Sequence, residues 1–356
     1  MSDTGHTAQQ EQTRDSEPRI DDPRIRKLAL ACTGSAVPGD APDGEDLCQD
    51  DWQAFYDFAD YYRVVPYIYF YLRDNPRAPL SLDAIPEGTR NAFKAGYQGS
   101  LARNALITRR AQEVLRHLAA AGIEAMLLKG LYLAHTVYAD KALRIMADAD
   151  LLVRPEQFIA AARVIESMGY KVFEPCSRNH TAETILSGVD KSLDYISDDA
   201  FGLRLELHYQ IDRPNSHYEV DGNALWTRSV EFRVGDQTTK AMCLEDLLMH
   251  LCLHCANHHA LNEMGLQPYL DIKELLRRHG KIFNWKLFTD IVQANGTDKA
   301  AFLTLQLARG ITAADIPDGV LEALRPNDIT AEVLEVAHRQ VFAPLRPDVD
   351  YSPNLL

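Results

Sequence analysis

The stretch LLKGLYLAHTVYADKALRIMADADLLV, Leu127 to Val153, decides how this chain reads. It opens as an apolar strand, stops on Lys129-Gly130, continues as a helix and ends in a second apolar strand carrying Asp148 and Asp150. Residues i and i+2 of a strand share one face. The two carboxylates therefore project together, opposite Ala147, Ala149 and Leu151. Burying an unpaired carboxylate costs several kcal/mol, so the pair needs a compensating partner. A divalent cation carrying a nucleoside triphosphate supplies one, because Mg²⁺ prefers oxygen ligands and keeps phosphate oxygens in its shell. Alone, the triplet is a weak signal, since a chain with 51 acidic residues contains several such triplets by chance.

Two neighbouring features add weight. Leu203–Tyr209, LRLELHY, alternates strictly, with Leu203, Leu205 and Leu207 on one side and Arg204, Glu206 and His208 on the other. Glu206 is either a third carboxylate on a neighbouring strand or part of a solvated face, and His208 beside it is a candidate nucleotide contact. The second feature is the Lys129-Gly130 turn. Glycine there lets backbone approach a phosphate, and the helix start that follows favours anions. Lys129 either contacts the triphosphate or is a surface lysine at a strand end. Arg144 either neutralises phosphate charge or pairs with an aspartate.

Outward from this stretch, the pattern is helices, a small sheet, then helices. Residues 1–22 read as a disordered polar leader and 23–121 as an N-terminal helical region. Within that region a helix is expected from Pro23, another over Asp51–Asp74 interrupted at Pro66, and a long one over Gly88–Ala121. Between them Cys32–Asp46 is a Gly/Pro/Asp-rich loop. Residues 122–240 form a mixed α/β core, with strands expected at Ile123–Leu128, Ala147–Val153, Tyr170–Phe173, Ser192–Ile196 and Leu203–Tyr209. Residues 241–345 are helical again, and 346–356 look like a loose tail.

The bulk properties restrict partners without naming one. A net charge of −14 over 356 residues argues against general nucleic-acid binding through phosphates. No apolar run reaches the roughly 18–20 residues of a membrane span, and the N-terminus lacks a signal-peptide pattern, so a cytoplasmic protein is expected. The six cysteines show no disulfide framework and read as free thiols.

His250, Cys252, His254, Cys255, His258 and His259 crowd into HLCLHCANHHALN, expected as part of one amphipathic helix over Leu244–Asn262. His250, His254 and His258 fall on one stripe, while Cys252 and Cys255 point elsewhere. A structural zinc site usually draws ligands from two separated pairs, and no second pair is evident. The stripe is either a polar wall of the nucleotide cleft, with His254 and His258 touching phosphate or acceptor, or a satisfied structural feature. Asp271 is a candidate to orient one of these histidines.

The opening stretch resembles the signature segment of the uncharacterised nucleotidyltransferase family within the DNA polymerase β-like superfamily. The match runs through Leu128-Lys129-Gly130, Arg144 and Asp148-Ala149-Asp150-Leu151-Leu152-Val153. LELHYQID looks like the family's acidic strand, which puts the third carboxylate at Glu206. HLCLHCANHH followed by YLDIKELL looks like its helical segment. Most of the wider superfamily has Gly-Ser where this chain has Lys129-Gly130. The resemblance implies an α+β fold, a polymerase-β-like core between helical regions. It implies Asp148 and Asp150 binding two Mg²⁺ (or Mn²⁺) ions, with Glu206 completing the activating metal, and transfer of a nucleoside monophosphate from ATP or another NTP. A small molecule, or a peptide or natural-product intermediate, is the expected acceptor. The alternatives are a toxin-like enzyme that modifies tRNA or a protein, and a non-catalytic nucleotide-binding protein.

Overall fold

A computed structural model of the chain describes residues 20–35, 44–174, 180–199, 201–214 and 216–343. The expected tail at 346–356, most of the leader, part of the Cys32–Asp46 loop and Cys176 lie outside them. The fold is mixed α+β, built on one seven-stranded sheet of order β3-β4-β5-β2-β1-β7-β6. Its strands are β1 (Ala125–Leu127), β2 (Asp148–Val153), β3 (Tyr170–Val172), β4 (Ser192–Ser197), β5 (Arg204–His208), β6 (Val230–Val234) and β7 (Gln237–Ala241). β2 pairs with β5 and β1 with β7 in parallel; the other neighbours are antiparallel.

The two sheet faces differ as the alternating sequences require. Ala125, Leu127, Ala149, Leu151, Val153, Leu193, Tyr195, Leu205 and Leu207 share a core with the helices behind the sheet. Those helices are α6 (Phe158–Ser167), which contributes Phe158, Ala161, Ala162 and Ile165, and the C-terminal half of α4 (Glu87–Ala120). The opposite face carries Asp148, Asp150, Glu206 and His208 and looks toward the C-terminal helices. α4 is long enough to serve two cores: Ile107, Val114, Leu115 and Leu118 pack under the sheet, while Phe93 and Tyr97 join the helical core.

The N-terminal helices α1 (Pro23–Ala31), α2 (Gln49–Tyr61) and α3 (Val65–Asp74) share that helical core with the C-terminal helices. The end of the expected leader already belongs to the fold: Ile20 is buried and the Asp22 carboxylate caps α1 by accepting from the Arg24 amide at 2.8 Å. The break within Asp51–Asp74 falls at Tyr62–Val64 and not at Pro66. Proline is tolerated in the first turn of a helix, and Pro66 sits in the first turn of α3. What ends α2 is Arg63, with φ +60°. Its neighbour Tyr62 accepts a bond from the Leu266 amide at 3.1 Å, which ties this junction to the C-terminal helices.

Two expectations fail in detail. β6 (VEFRV) and β7 (QTTKA) add to the expected strands; β7, short and polar, is held between β6 and β1, where Thr239 Oγ donates to Ala125 O at 2.7 Å. The single helix expected over Leu244–Asn262 is α-helical only over Leu244–Leu253, continues as a wide π turn over His254–His258, and ends with Ala260 and Leu261 at positive φ. Single π turns recur at functional sites. Among the described residues Cys32, Cys48, Cys243, Cys252 and Cys255 are free thiols, and no helix is long and apolar enough to cross a membrane.

Gly265 is the glycine this arrangement most needs. Its φ is +60°, and a Cβ there would lie 2.6 Å from the Tyr62 carbonyl oxygen. Gly265→Ala is expected to cost about 2–3 kcal/mol in chemical denaturation, from left-handed strain plus a backbone clash. Alanine at Gly122, which has positive φ but open space around it, isolates the strain alone and is expected to cost about 1 kcal/mol.

Candidate functional site

The parallel pairing of β2 and β5 sets Asp148 opposite Arg204, Asp150 opposite Glu206, and Leu152 opposite His208. Directly paired residues project to the same side. The sheet thus gathers Asp148, Asp150, Glu206 and His208 on one face. α4 fixes where β2 begins: Asn104 Nδ2 donates to the carbonyls of Lys141 and Arg144, and Arg103 to those of Met146 and Ala147.

Partners reach this face from all sides. Lys129 Nζ lies 3.1 Å from Asp150 Oδ1, and Lys191 Nζ lies 2.8 Å from Glu206 Oε1. Ser192 Oγ donates to Glu206 Oε1 at 2.6 Å. His208 Nε2 sits between the two carboxylates, 3.2 Å from Asp150 Oδ1 and 3.4 Å from Glu206 Oε1. The Asp148 carboxylate forms no hydrogen bond or ion pair among the described residues.

Electrostatics follow from these neighbours. Burial favours a neutral Asp150, but the Lys129 ammonium and the His208 bond outweigh it and hold the carboxyl below its usual range. Burial opposes Glu206 ionisation too, yet His208 and Lys191 hold it well below normal. Burial would discharge Lys129; Asp150, Glu206 and Asp148 reverse that and keep it an ammonium. Asp148 has weaker help, from the more distant charges of Lys129 and Arg204. Burial, with Asp150 and Glu206 beside it, pushes its carboxyl up to about 6.

Lys129 is not a surface lysine. It is buried, and it, rather than Gly130, takes a positive φ of +33° at the turn. Gly130 needs no such freedom: a Cβ there would meet Met146 at 3.5 Å, an ordinary contact. The helix α5 (Lys129–Thr136) starts here, and its N-cap, Leu128, offers no side-chain cap to the first amides.

The histidine stripe closes the cleft from the C-terminal side. Lys129 Nζ donates to His254 Nε2 at 3.0 Å, and His258 Nε2 donates to Asp212 Oδ1 at 2.7 Å. The rings of His250 and His254 lie 6.1 Å apart, and those of His254 and His258 5.4 Å apart. Burial, reinforced by Lys129, holds His250 and His254 well below the usual histidine value. Burial also takes His258 down to about 4 against the pull of Asp212. The three therefore present neutral imidazoles at neutral pH. Cys252 and Cys255 are buried in the helical core.

Arg144 and Asp271 pair with each other. Arg144 Nε bonds both Asp271 oxygens, at 2.9 and 3.0 Å, and Tyr138 OH donates to the same carboxylate at 2.6 Å. Arg144 thus takes an aspartate on a helix and not one on β2, and Asp271 holds this arginine instead of orienting a histidine.

Sequence reading missed three residues. Lys191 and Ser192 sit at the start of β4, and only the antiparallel pairing with β5 brings them onto Glu206. Arg63 lies between α2 and α3; its guanidinium has no hydrogen bond or ion pair among the described residues. Burial, with Arg144 and Arg103 nearby, pulls it below the ordinary arginine value. The available signal was a lone arginine in an otherwise apolar and aromatic stretch close to Pro66.

The donor set fits a divalent cation. One ligand atom each from Asp150, Glu206 and His208 fall within 4.8 Å of one another. Two carboxylates suit Mg²⁺, and an imidazole extends the range to Mn²⁺ and other transition ions. His208 enters this group where Asp148 had been expected beside Asp150 and Glu206.

A mixed sheet bearing a carboxylate cluster able to hold a cation, beside lysine ammonium groups and an open helix start, has the chemistry that phosphoryl transfer requires. More specifically, the chain belongs to a family of uncharacterised nucleotidyltransferases, whose profile matches residues 49–312, about three quarters of its length. That membership supports transfer from a nucleoside triphosphate. No curated protein matches the sequence.

Two stability measurements separate structural groups from site groups. Asp271→Ala leaves the Arg144 guanidinium buried and unpaired, and is expected to cost about 3–5 kcal/mol. The double change Arg144→Met with Asp271→Leu should recover most of it. Asp148 behaves oppositely. Its folded value lies above its free value, so ionising it costs stability as pH rises from about 4 to about 6. Asp148→Asn should therefore stabilise the metal-free protein by on the order of 2 kcal/mol above pH 7. Below about pH 4 it should change nothing.

Proposed function

We propose that the protein transfers a nucleoside monophosphate from an NTP to an acceptor, on a polymerase-β-like core formed by the sheet and its flanking helices. The observation that carries this reading is the in-register pair Asp150–Glu206, with Asp148 and His208 on the same face. Asp150 and Glu206 would hold a divalent cation, Mg²⁺ or Mn²⁺, with His208 or Asp148 completing the protein ligands. Such an ion lowers the pKa of an acceptor hydroxyl and offsets charge on the departing pyrophosphate.

The remaining roles belong to the chain's own side chains. Lys129 and the first amides of α5 lie where a polyphosphate gains most from positive charge. Gly130 keeps that approach clear. Among the described residues no carboxylate pairs with the Arg63 guanidinium, and a polyphosphate oxygen is a suitable partner. Arg144, neutralised by Asp271, braces the segment entering β2 and contributes to phosphate binding indirectly. His254 and His258, as neutral imidazoles, bond a phosphate or the acceptor without adding charge. The net charge of −14 favours a small molecule or peptide acceptor over tRNA.

Thermal unfolding with ATP, GTP, CTP and UTP, each with and without Mg²⁺ or Mn²⁺, tests the reading. A ligand that binds only the folded state adds about 2.7 kcal/mol at a hundredfold excess over Kd. A metal-dependent rise is expected with at least one nucleotide. Asp148→Asn should abolish most of it, and Arg63→Ala should weaken nucleotide affinity about tenfold, the loss of one charge-assisted bond. No rise with any nucleotide in the wild type sinks the proposal.

A further inference from the structure

The cation cleft already contains fixed positive charge. Lys129 and Lys191 each place an ammonium on one of the two paired carboxylates, at 3.1 and 2.8 Å. Neither lysine is a mobile surface group: both are buried. Lys129 is held further by donating to His254 Nε2 at 3.0 Å and by its left-handed backbone at φ +33°, a conformation that costs free energy and persists only where surroundings enforce it. Lys191 precedes Ser192, whose hydroxyl bonds the same Glu206 oxygen, so two consecutive residues are committed to one carboxylate atom.

The bonds are also directional. Lys129 and His208 converge on Asp150 Oδ1, while Lys191, Ser192 and His208 converge on Glu206 Oε1. Asp150 Oδ2 and Glu206 Oε2 have no side-chain partner among the described residues. One oxygen of each carboxylate thus serves the protein's own cations, and the other stays available to an ion. Among the described residues, Asp150, Glu206 and His208 make the single three-donor group.

Charge arithmetic gives this arrangement a consequence. Asp148, Asp150 and Glu206 with Lys129 and Lys191 carry one net negative charge, which one dication turns into one net positive charge. Two dications on three carboxylates with no lysine reach the same total. We infer that this site binds nucleotide with one divalent cation, the ammonium groups of Lys129 and Lys191 supplying the positive charge of a second. The inference rests on the nucleotidyl-transfer reading above and adds the metal stoichiometry.

The test is manganese binding to the full chain with one equivalent of each α,β-methylene nucleoside triphosphate in turn. Bound Mn²⁺ is counted per chain, and its electron paramagnetic resonance spectrum is recorded. The wild type should bind one Mn²⁺ per chain with the spectrum of an isolated ion. Two bound ions with the exchange-coupled spectrum of a pair about 3.5–4 Å apart would overturn the inference and leave nucleotidyl transfer standing. No binding of Mn²⁺ with any of the four analogues would overturn both. The wild-type count needs no variant to fold. As a second arm, Lys129→Met with Lys191→Met should admit a second Mn²⁺, since three carboxylates then face the cleft without internal cations. A folded double variant that still binds one ion would also overturn the inference.

Discussion

The interaction on which the rest depends is the register of two parallel strands. Pairing β2 with β5 so that Asp150 meets Glu206 puts two carboxylates side by side in a cleft largely shielded from water. Like charges at that spacing are unstable without compensation, and the surroundings show how it is provided. Lys129 arrives from the β1–α5 turn, Lys191 and Ser192 from the start of β4, and His208 from β5 itself. Lys129 compensates Asp150, Lys191 and Ser192 compensate Glu206, and His208 reaches one oxygen of each. Asp148, with no hydrogen bond or ion pair among the described residues, keeps an affinity for protons that a bound cation would replace.

The helical regions meet this constraint from the other side. The polar face of the sheet must be covered by groups that neither add charge nor leave the carboxylates bare. Three neutral imidazoles from His250, His254 and His258 meet that need, with the stripe continued through a π turn and His258 fixed by Asp212. The placement of that wall depends on contacts far from the carboxylates: Arg144 with Asp271, and Tyr62 with Leu266. The N-terminal helices share one core with the C-terminal ones, so the cleft is bounded by segments from both ends of the chain. Arg63 sits at that meeting point, which explains how a residue outside the sheet acquires a candidate phosphate-binding role.

Legibility followed the range of the interactions involved. Strict alternation in LRLELHY and the aspartates of ADADLLV revealed β2, β5 and which side chains share a face, because strand periodicity is a local property. The long helix α4 was equally clear. The end of the histidine helix was not, since a π turn leaves an α-like pattern of side chains, and the polar strand β7 shows itself only through its partner β1. Proline drew the α2–α3 break to Pro66, whereas the backbone bends at Arg63.

The sequence by itself determined the two-faced strands, singled out the paired Asp148 and Asp150 with Glu206 as a candidate third carboxylate, and marked the Lys129-Gly130 turn beside them. Tertiary structure alone decided that Asp150 and Glu206 stand in register, that His208 joins them, that Lys129 and Lys191 neutralise them, and that Arg144 belongs to Asp271. The physical reason is that periodicity fixes which way a side chain points, while the partner it meets depends on strand register and helix docking. Those are set by hydrophobic burial summed over the whole chain, and no short stretch contains that sum.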